Sequence, residues 1–135
     1  LLGVSPVQTE GPPQIVVHVR RGDYVGLGLA LSPNWYRTAV QSALGLTGRD
    51  AEVTVVSDDP GWCRDSLQLD VPFSVATGTT ALEDFRLLAR AGAMVASAST
   101  FSWWAGFLGG GSVCYPKDSF GLPVVDTWSG IEPNS

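Results

Sequence analysis

The sequence predicts an α/β domain in which helices cover both faces of a parallel sheet. Apolar, β-branched runs alternate with amphipathic segments along the 135 residues, and each intervening helix can supply the right-handed crossover that joins parallel strands. The first run, QIVVHV at residues 14–19, is almost wholly apolar, as expected of a strand that is buried on both faces. With 44% apolar and 16% charged residues, the composition is typical of a globular domain.

A helix is expected after this first strand. The chain turns at Gly22 and is predicted to loop through GLGLAL, after which Ser32 and Pro33 are typical of a helix start. The serine hydroxyl caps free amides and proline fits the first helical turn, and Gly45 predicts the end of the helix. Helical spacing predicts that one face is buried, formed by Trp35, Tyr36, Ala39, Val40, Ala43 and Leu44.

Four further strands are expected. AEVTVVS at 51–57 predicts the second, VPFSVA at 71–76 a third with a weaker pattern, AMVAS at 93–97 the fourth and SVCYP at 112–116 the last. Helical segments separate them, so the alternation of strand and helix is maintained along the chain.

Three helices are predicted between these strands. Asp-Asp-Pro after the second strand indicates a short one. Thr80 and Glu83 form a capping box that opens ALEDFRLLARAG, and Ser99 or Thr100 caps TFSWWAGFL. The side chains of the middle helix that we expect to face inward are Leu82, Phe85, Leu88 and Ala89.

Composition excludes several classes of function. Eight Lys and Arg against 13 Asp and Glu give a net charge of −5, which opposes a nucleic-acid partner because such a partner requires a broad basic face. No apolar run reaches the length of about 18 residues that crosses a bilayer. Cys63 and Cys114, with one histidine in the chain, supply too few ligands for structural zinc, and both are expected to be buried thiols.

The N-terminal segment LLGVSPVQTEGPP, residues 1–13, has the mixture of proline, glycine and polar residues that is typical of a linker. We expect residues 14–135 to form the folded domain, and the chain to be part of a longer protein.

Polar clusters occur where the predicted strands end. HVRRGD ends the first strand, SDD the second and SASTFS the fourth, and ligands of open parallel sheets bind beyond these carboxyl ends. His18 and Arg20 share one face of the strand because side chains alternate, while Arg21 leaves at the turn that Gly22 permits. We therefore expect the two guanidiniums to converge on an anion such as phosphate, which an arginine fork binds bidentately.

A second anion site is predicted at the start of the last helix. The hydroxyls of Ser99, Thr100 and Ser102 lie there, together with free backbone amides and the positive end of the helix dipole. One diphosphate could bridge this site and the arginines.

Plainer interpretations remain open for these residues. Arg20, Arg21 and Asp23 could form a structural salt-bridge cluster, and Asp58 with Asp59 could cap the next helix. Trp103 and Trp104 are more typical of a core than of a ligand platform.

Two other functions are disfavoured. The RGD tripeptide adjoins a buried strand, which disfavours cell adhesion. A dinucleotide fold would require GxGxxG directly after the first strand, where this chain has RRGDY.

Three blocks resemble the alpha-1,2-fucosyltransferases (glycosyltransferase family 11-like): HVRRGDY at 18–24, VVSDDPGW at 55–62 and EDFRLLARAGAMVASASTFSWWAGFL at 83–108. The resemblance runs from Ile15 to Trp128 and implies the C-terminal, GDP-fucose-binding half of that family. This half is a Rossmann-like sugar-nucleotide domain within a GT-B-like architecture. The N-terminal acceptor domain is missing, and the family usually has asparagine in place of Ser97 or Ala98.

The resemblance implies transfer of fucose, with inversion, from GDP-fucose to a terminal galactose hydroxyl of a glycan. It implies that Arg20 contacts the diphosphate, that Arg21 orients the loop, that His18 lies near the nucleoside and that Asp84 pairs with guanine. Arg20 and Asp23 are the candidate catalytic residues, with Asp23 favoured as an orienting partner over a general base. The donor-binding residues implied are His18, Arg20, Arg21, Asp58, Asp84, Ser99, Thr100, Phe101 and Ser102.

No cofactor and no metal are expected, because the arginines and the helix start can neutralise the diphosphate and the sequence has no DxD motif. Two alternatives stay open: a nucleotide-sugar-binding module without catalysis in isolation, and a fucosyltransferase acting on a protein or core-glycan acceptor. A bacterial relative would be cytoplasmic, and an animal one would lie in the Golgi lumen behind a membrane anchor.

Overall fold

The computed structural model describes residues 14–117 and 123–132. The predicted linker at 1–13 lies outside these residues. The elements follow one another as β1 (Gln14–Val19), α1 (Gly22–Leu27), α2 (Pro33–Thr47), β2 (Glu52–Ser57), α3 (Pro60–Ser66), β3 (Ser74–Val75), α4 (Ala81–Arg90), β4 (Ala93–Val95), α5 (Thr100–Leu108), β5 (Ser112–Pro116) and β6 (Ser129–Ile131).

The strands form one parallel sheet in the order β3-β2-β1-β4-β5-β6. The chain runs outward from β1 to β3, crosses back to β4 and then runs outward to β6. The order therefore reverses between β1 and β4, which is where doubly wound sheets open a crevice for a ligand. The predicted α/β class with a Rossmann-like parallel sheet is confirmed.

Helices cover both faces of the sheet. Ile15, Val17 and Val19 of β1 pack in one apolar cluster with residues of α2 and α3. Val16 packs on the opposite face in a second cluster, with residues of α4 and α5. His18 lies on this second face and contacts Phe101 of α5, because alternate side chains of a strand point to opposite sides.

The helix boundaries differ from the predictions at two places. The stretch expected to loop after Gly22 contains α1, none of whose residues is buried. Helix α2 continues past Gly45 to Thr47 and is capped by Gly48, whose φ of 121° and N–H bond to the Leu44 carbonyl end it. A Cβ at Gly45 would have no neighbouring atom within 4 Å, so the surroundings of this residue do not end the helix there.

Burial in α4 departs from the prediction at one residue. Leu88 and Ala89 are buried and Phe85 packs partly against the core, but Leu82 is 57% exposed. The prediction for Leu82 was wrong because this residue lies in the uncovered first turn of the helix, where helical spacing does not imply burial.

Strand β6, at one edge of the sheet, was not predicted, since Ser-Gly-Ile has neither the length nor the apolar pattern of a strand.

Cys63 and Cys114 are buried free thiols, as predicted, and burial raises the pKa of both thiols. Within the described ranges, no helix has the length and apolar character to cross a membrane.

Candidate functional site

An open cleft of about 460 Å³ lies at the carboxyl ends of β1, β2 and β4, at the point where the strand order reverses. The first turns of α4 and α5 complete its walls. Seven of the nine predicted donor-binding residues line it, and Arg21 and Ser102 do not. The lining residues are His18, Arg20, Tyr24, Ser57, Asp58, Ala81, Asp84, Ser99, Thr100 and Phe101.

Arg20 is held in place from three directions. Its Nη2 donates to Asp23 Oδ1 at 2.7 Å and its Nη1 to Asp58 Oδ2 at 3.2 Å. The guanidinium also lies over the Tyr24 ring, 4.9 Å from its centroid. A guanidinium has five N–H donors, so these two bonds leave three for a ligand. The salt-bridge cluster considered as an alternative is therefore present around Arg20, and Arg20 also faces the cleft.

Arg21 does not join Arg20, contrary to the expectation that the two guanidiniums converge. Its guanidinium lies 3.7 Å from the Trp62 ring centroid, and its Nε lies 3.8 Å from Asp59 Oδ2. The alternation of β1 explains the difference, since odd-numbered side chains face the α2 and α3 side, where Trp62 packs against the core.

Asp58 and Asp59 have different roles. Asp59 caps α3 by accepting from the Trp62 N–H at 3.2 Å, as the plainer interpretation expected. Asp58 instead joins the end of β2 to the end of β1, because its Oδ1 accepts from the backbone N–H of Arg21 at 2.8 Å while its Oδ2 accepts from Arg20.

Gly22 makes this approach of Asp58 possible. A Cβ at this position would lie 2.5 Å from Asp58 Oδ2, and φ is +20°. Both features exclude a larger side chain without a shift of the carboxylate.

His18 is buried in a network of serine hydroxyls. Its Nδ1 hydrogen-bonds with Ser97 Oγ at 2.8 Å and with Ser102 Oγ, and the Ser97 N–H donates to Ser102 Oγ at 3.2 Å. Burial lowers the pKa of His18 to about 4; the Asp58 carboxylate opposes this shift and Arg20 adds to it. The imidazole is therefore neutral near pH 7.

Ser102 lies behind His18 and is fully buried. Its hydroxyl orients the imidazole and does not face the cleft, so the structure does not support the direct ligand contact expected of it. The cause is its position in α5: the third residue after the Ser99 cap points back toward the sheet.

The N-terminus of α5 opens into the cleft. Ser99 caps it by accepting from the Ser102 N–H at 3.2 Å, which resolves the choice between Ser99 and Thr100. The backbone N–H groups of Thr100 and Phe101 make no hydrogen bond within the described residues, as first-turn amides generally do not. They are available to an anion, and the helix dipole favours one there.

Asp84 reaches the cleft from α4. The capping box predicted from Thr80 and Glu83 is present, with bonds of 3.1 Å and 2.8 Å, and it fixes the first turn of the helix. Thr79 Oγ1 donates to Asp84 Oδ1 at 2.5 Å. The carboxylate is thus positioned with its second oxygen free of hydrogen bonds from the described residues.

Sequence reasoning missed three lining residues, Tyr24, Ser57 and Ala81, and the buried partner Ser97. Tyr24 and Ser57 belong to the blocks HVRRGDY and VVSDDPGW, so those blocks carried a signal for them. The Tyr24 hydroxyl donates to the Ala98 carbonyl at 2.9 Å and so ties α1 to the loop before α5. Ser97 lies in the third block, EDFRLLARAGAMVASASTFSWWAGFL, whereas Ala81 lies in none of the three. The described residues contain no group of three or more His, Cys, Asp or Glu arranged to hold a metal ion.

Comparison with known proteins yields one family. The model of glycosyl transferase family 11 matches residues 7–116. The galactoside 2-alpha-L-fucosyltransferase SEC1 of Bos taurus is 35% identical over 125 residues, covering 79% of this chain and 31% of the relative. The galactoside alpha-(1,2)-fucosyltransferase 2 of Oryctolagus cuniculus is 30% identical over 140 residues, covering 87% and 39%.

The galactoside alpha-(1,2)-fucosyltransferase 1 of Homo sapiens is 32% identical over 120 residues, covering 79% of this chain and 32% of the relative. The chain therefore spans about a third of the length of these relatives. These matches confirm the resemblance that the sequence blocks predicted, and the chain belongs to glycosyl transferase family 11.

Proposed function

We propose that this chain is the donor-binding portion of a galactoside alpha-1,2-fucosyltransferase, which transfers fucose with inversion from GDP-fucose to a terminal galactose hydroxyl. The observation that carries the proposal is the cleft at the switch point, which both Arg20 and the open N-terminus of α5 line. Two anion-binding groups of different kinds at one cleft favour a diphosphate.

The diphosphate contacts Arg20 and the amides of Thr100 and Phe101. Two carboxylates already pair with Arg20, and a diphosphate must compete with them. Asp23 is the weaker competitor, since its side chain is 65% exposed against 28% for Asp58, and exposed ion pairs contribute about 0–1 kcal/mol. A charge-assisted bond to phosphate contributes roughly 1.5–3 kcal/mol. The diphosphate therefore displaces Asp23, and Asp58 keeps the guanidinium oriented.

The nucleoside occupies the part of the cleft between α4 and α5. The Asp84 carboxylate can accept two hydrogen bonds, from N1 and the N2 amino group of guanine. His18, which is neutral and has its ring centroid 5.2 Å from that of Phe101 at a tilt of 43°, shapes the floor of this part of the cleft without adding charge. Arg21 acts indirectly, by holding the turn that presents Arg20.

During transfer, the bond from fucose to GDP breaks through an oxocarbenium-like state, and negative charge grows on the β-phosphate. Donors fixed on that oxygen stabilise the transition state more than the ground state. The loss of one such donor typically costs ~2.7–4 kcal/mol, or about 10²–10³ in rate. Arg20 is the proposed donor, and the proposal needs no metal and no cofactor. The acceptor site and any general base belong to the remainder of the longer protein.

Calorimetric titration with GDP tests the donor assignment. Arg20→Ala should abolish measurable GDP binding while the far-UV spectrum stays unchanged. Arg90→Ala is the matched control, because Arg90 is an exposed arginine at the opposite end of α4, and it should bind GDP like the parent chain. Equal affinity in Arg20→Ala would refute the assignment.

A second candidate is a nucleotide-sugar-binding module that is inactive in isolation. The chain's coverage of about a third of its relatives favours it. Transfer of radiolabelled fucose to lactose separates the two: the 135-residue chain alone should bind GDP and transfer nothing, whereas turnover by the isolated chain would reject the binding-only account.

A further inference from the structure

An exposed aromatic face on α5 is not used by the proposed donor site. Trp104 is 51% and Phe107 52% exposed. The other large apolar side chains that are exposed in the described residues are aliphatic: Val25, Leu27, Leu29, Leu46, Leu82 and Val124. The expectation that Trp104 is a core residue was therefore wrong.

This face is continuous with the cleft. Thr100, Trp104 and Phe107 follow the spacing i, i+4 and i+7, which places them on one side of a helix, and we call them the α5 stripe. Thr100 is exposed and lines the cleft. With a rise of about 1.5 Å per residue, Trp104 lies roughly 6 Å and Phe107 about 10 Å further along the helix. That distance is comparable with the length of a disaccharide.

The rings of the stripe are fixed before any ligand arrives. The neighbouring Trp103 stacks on Phe107 with a centroid distance of 5.1 Å and an angle of 7°, and its Nε1 donates to the Pro123 carbonyl at 2.6 Å. Trp104 stands perpendicular to both rings, 4.9 Å from Trp103 and 6.0 Å from Phe107. A preorganised surface of this kind loses little conformational entropy on binding.

Area argues against a protein as the occupant. Large aromatic side chains bury about 150–250 Å² each, so the two half-exposed rings offer roughly 200 Å². A stable protein interface needs about 800 Å² from each partner. The stripe is too small for a second copy of the chain.

Charge and polarity identify the chemistry of the occupant. Helix α5 carries no charged residue, since none occurs between Arg90 and Lys117, so the stripe itself offers no ion-pair partner and suits a neutral occupant. The hydroxyl of Thr100 and the indole Nε1 of Trp104 make no hydrogen bond within the described residues and can bind hydroxyl groups. A sugar ring combines hydroxyls with a face of C–H bonds, and such bonds pack on the electron-rich face of an aromatic ring.

We propose that the α5 stripe binds the sugar units of a neutral oligosaccharide acceptor that follow its reacting terminal residue. The inference rests on the proposed function for the orientation of the oligosaccharide, since its terminal sugar must enter the cleft beside Thr100. It assigns to this chain a part of acceptor recognition that the proposed function leaves to the remainder of the protein.

The test follows the Trp104 indole N–H signal in a ¹⁵N-labelled chain, assigned with Trp104→Phe, while lactose is added in the presence of saturating GDP. The signal should shift with lactose and saturate. Trp104→Ala should weaken lactose binding at least fivefold, measured on the remaining shifted signals, and leave GDP affinity within twofold. Leu46→Ala is the control, because Leu46 is equally exposed at the end of α2, and it should change neither affinity.

Several outcomes would overturn the proposal: no lactose-induced shift in the parent chain, unchanged lactose affinity in Trp104→Ala, or full retention of affinity in Trp104→Leu, which keeps an apolar side chain without a ring. A dimer of the parent chain in sedimentation that Trp104→Ala dissociates would assign the stripe to self-association instead. Failure of GDP to bind would refute the donor assignment separately, since lactose can be titrated without it.

Discussion

Replacing Gly22, the first residue of α1, by alanine should disturb the cleft more than adding a methyl group at either of the two nearby glycines, Gly26 and Gly28. The new Cβ would lie 2.5 Å from Asp58 Oδ2 and 3.9 Å from Arg20 Nη1, and the residue has a φ of +20° that L-residues rarely adopt. Asp58 must move, and it then loses its bonds to Arg20 and to the Arg21 backbone. Strain of this kind costs about 1–3 kcal/mol, and two carboxylate hydrogen bonds are weakened in addition.

Two neighbouring glycines isolate the causes of the effect. Gly28 has a φ of +72° but open space around the Cβ position, so Gly28→Ala should cost about 1–2 kcal/mol from backbone strain alone and leave GDP binding intact. Gly26 lies inside α1 with open space and no positive φ, so Gly26→Ala should stabilise the chain by up to ~1 kcal/mol.

Urea unfolding measures the stability of the three variants, and calorimetry measures their affinity for GDP. Gly22→Ala alone should lose GDP affinity, by at least about tenfold, which corresponds to ~1.4 kcal/mol. If Gly22→Ala binds GDP like Gly28→Ala, the Asp58 contact does not position Arg20 and the reasoning fails.

Three further predictions concern the other groups of the cleft. Arg20→Lys should bind GDP almost as poorly as Arg20→Ala, because lysine keeps the charge and loses the planar fork; calorimetric affinity close to that of the parent chain would contradict this. The pKa of His18 falls from 6.5 in the unfolded chain to about 4 in the folded one, so its contribution to stability is complete above pH 6.5 and is lost as the pH falls through 4. Urea unfolding between pH 7 and pH 4 should show a loss of up to about 3 kcal/mol from this group, a loss that His18→Gln should lack; parallel curves for the two proteins would rule it out. Tyr24→Phe removes the hydrogen bond to the Ala98 carbonyl, which contributes about 1 kcal/mol, and amide hydrogen exchange in α1 should become faster; unchanged exchange would show that this bond does not hold α1.

The sequence was most informative where the regular alternation of side chains along a strand determines the face on which each one lies. Alternation along β1 placed His18 and Arg20 on one face, and the structure agrees. The same alternation separates Arg20 from Arg21, so adjacency in sequence was a poor guide to adjacency in space. Extending the alternation by two residues past Val19 would have placed Arg21 on the opposite face from Arg20, beside Trp62.

Contacts between distant segments could not be predicted from local patterns. The order of the six strands is set by packing across the whole chain. The burial of Ser102 depends on His18, 84 residues away in sequence, and the role of Asp58 depends on the turn at Gly22. Sequence reasoning found Asp58 and Ser102 as polar residues near a strand end, and only the fold shows that each one supports another side chain.

The central claim is that one diphosphate binds between Arg20 and the N-terminus of α5. Amide chemical shifts of the ¹⁵N-labelled chain, recorded with GDP and with guanosine, test it most directly. GDP should shift the backbone amides of Thr100 and Phe101 together with the Arg20 Nε–H signal, and guanosine, which lacks phosphates, should leave the Thr100 amide and the Arg20 Nε–H in place. Shifts at Arg20 without shifts at Thr100 and Phe101, or equal shifts with guanosine, would contradict the account.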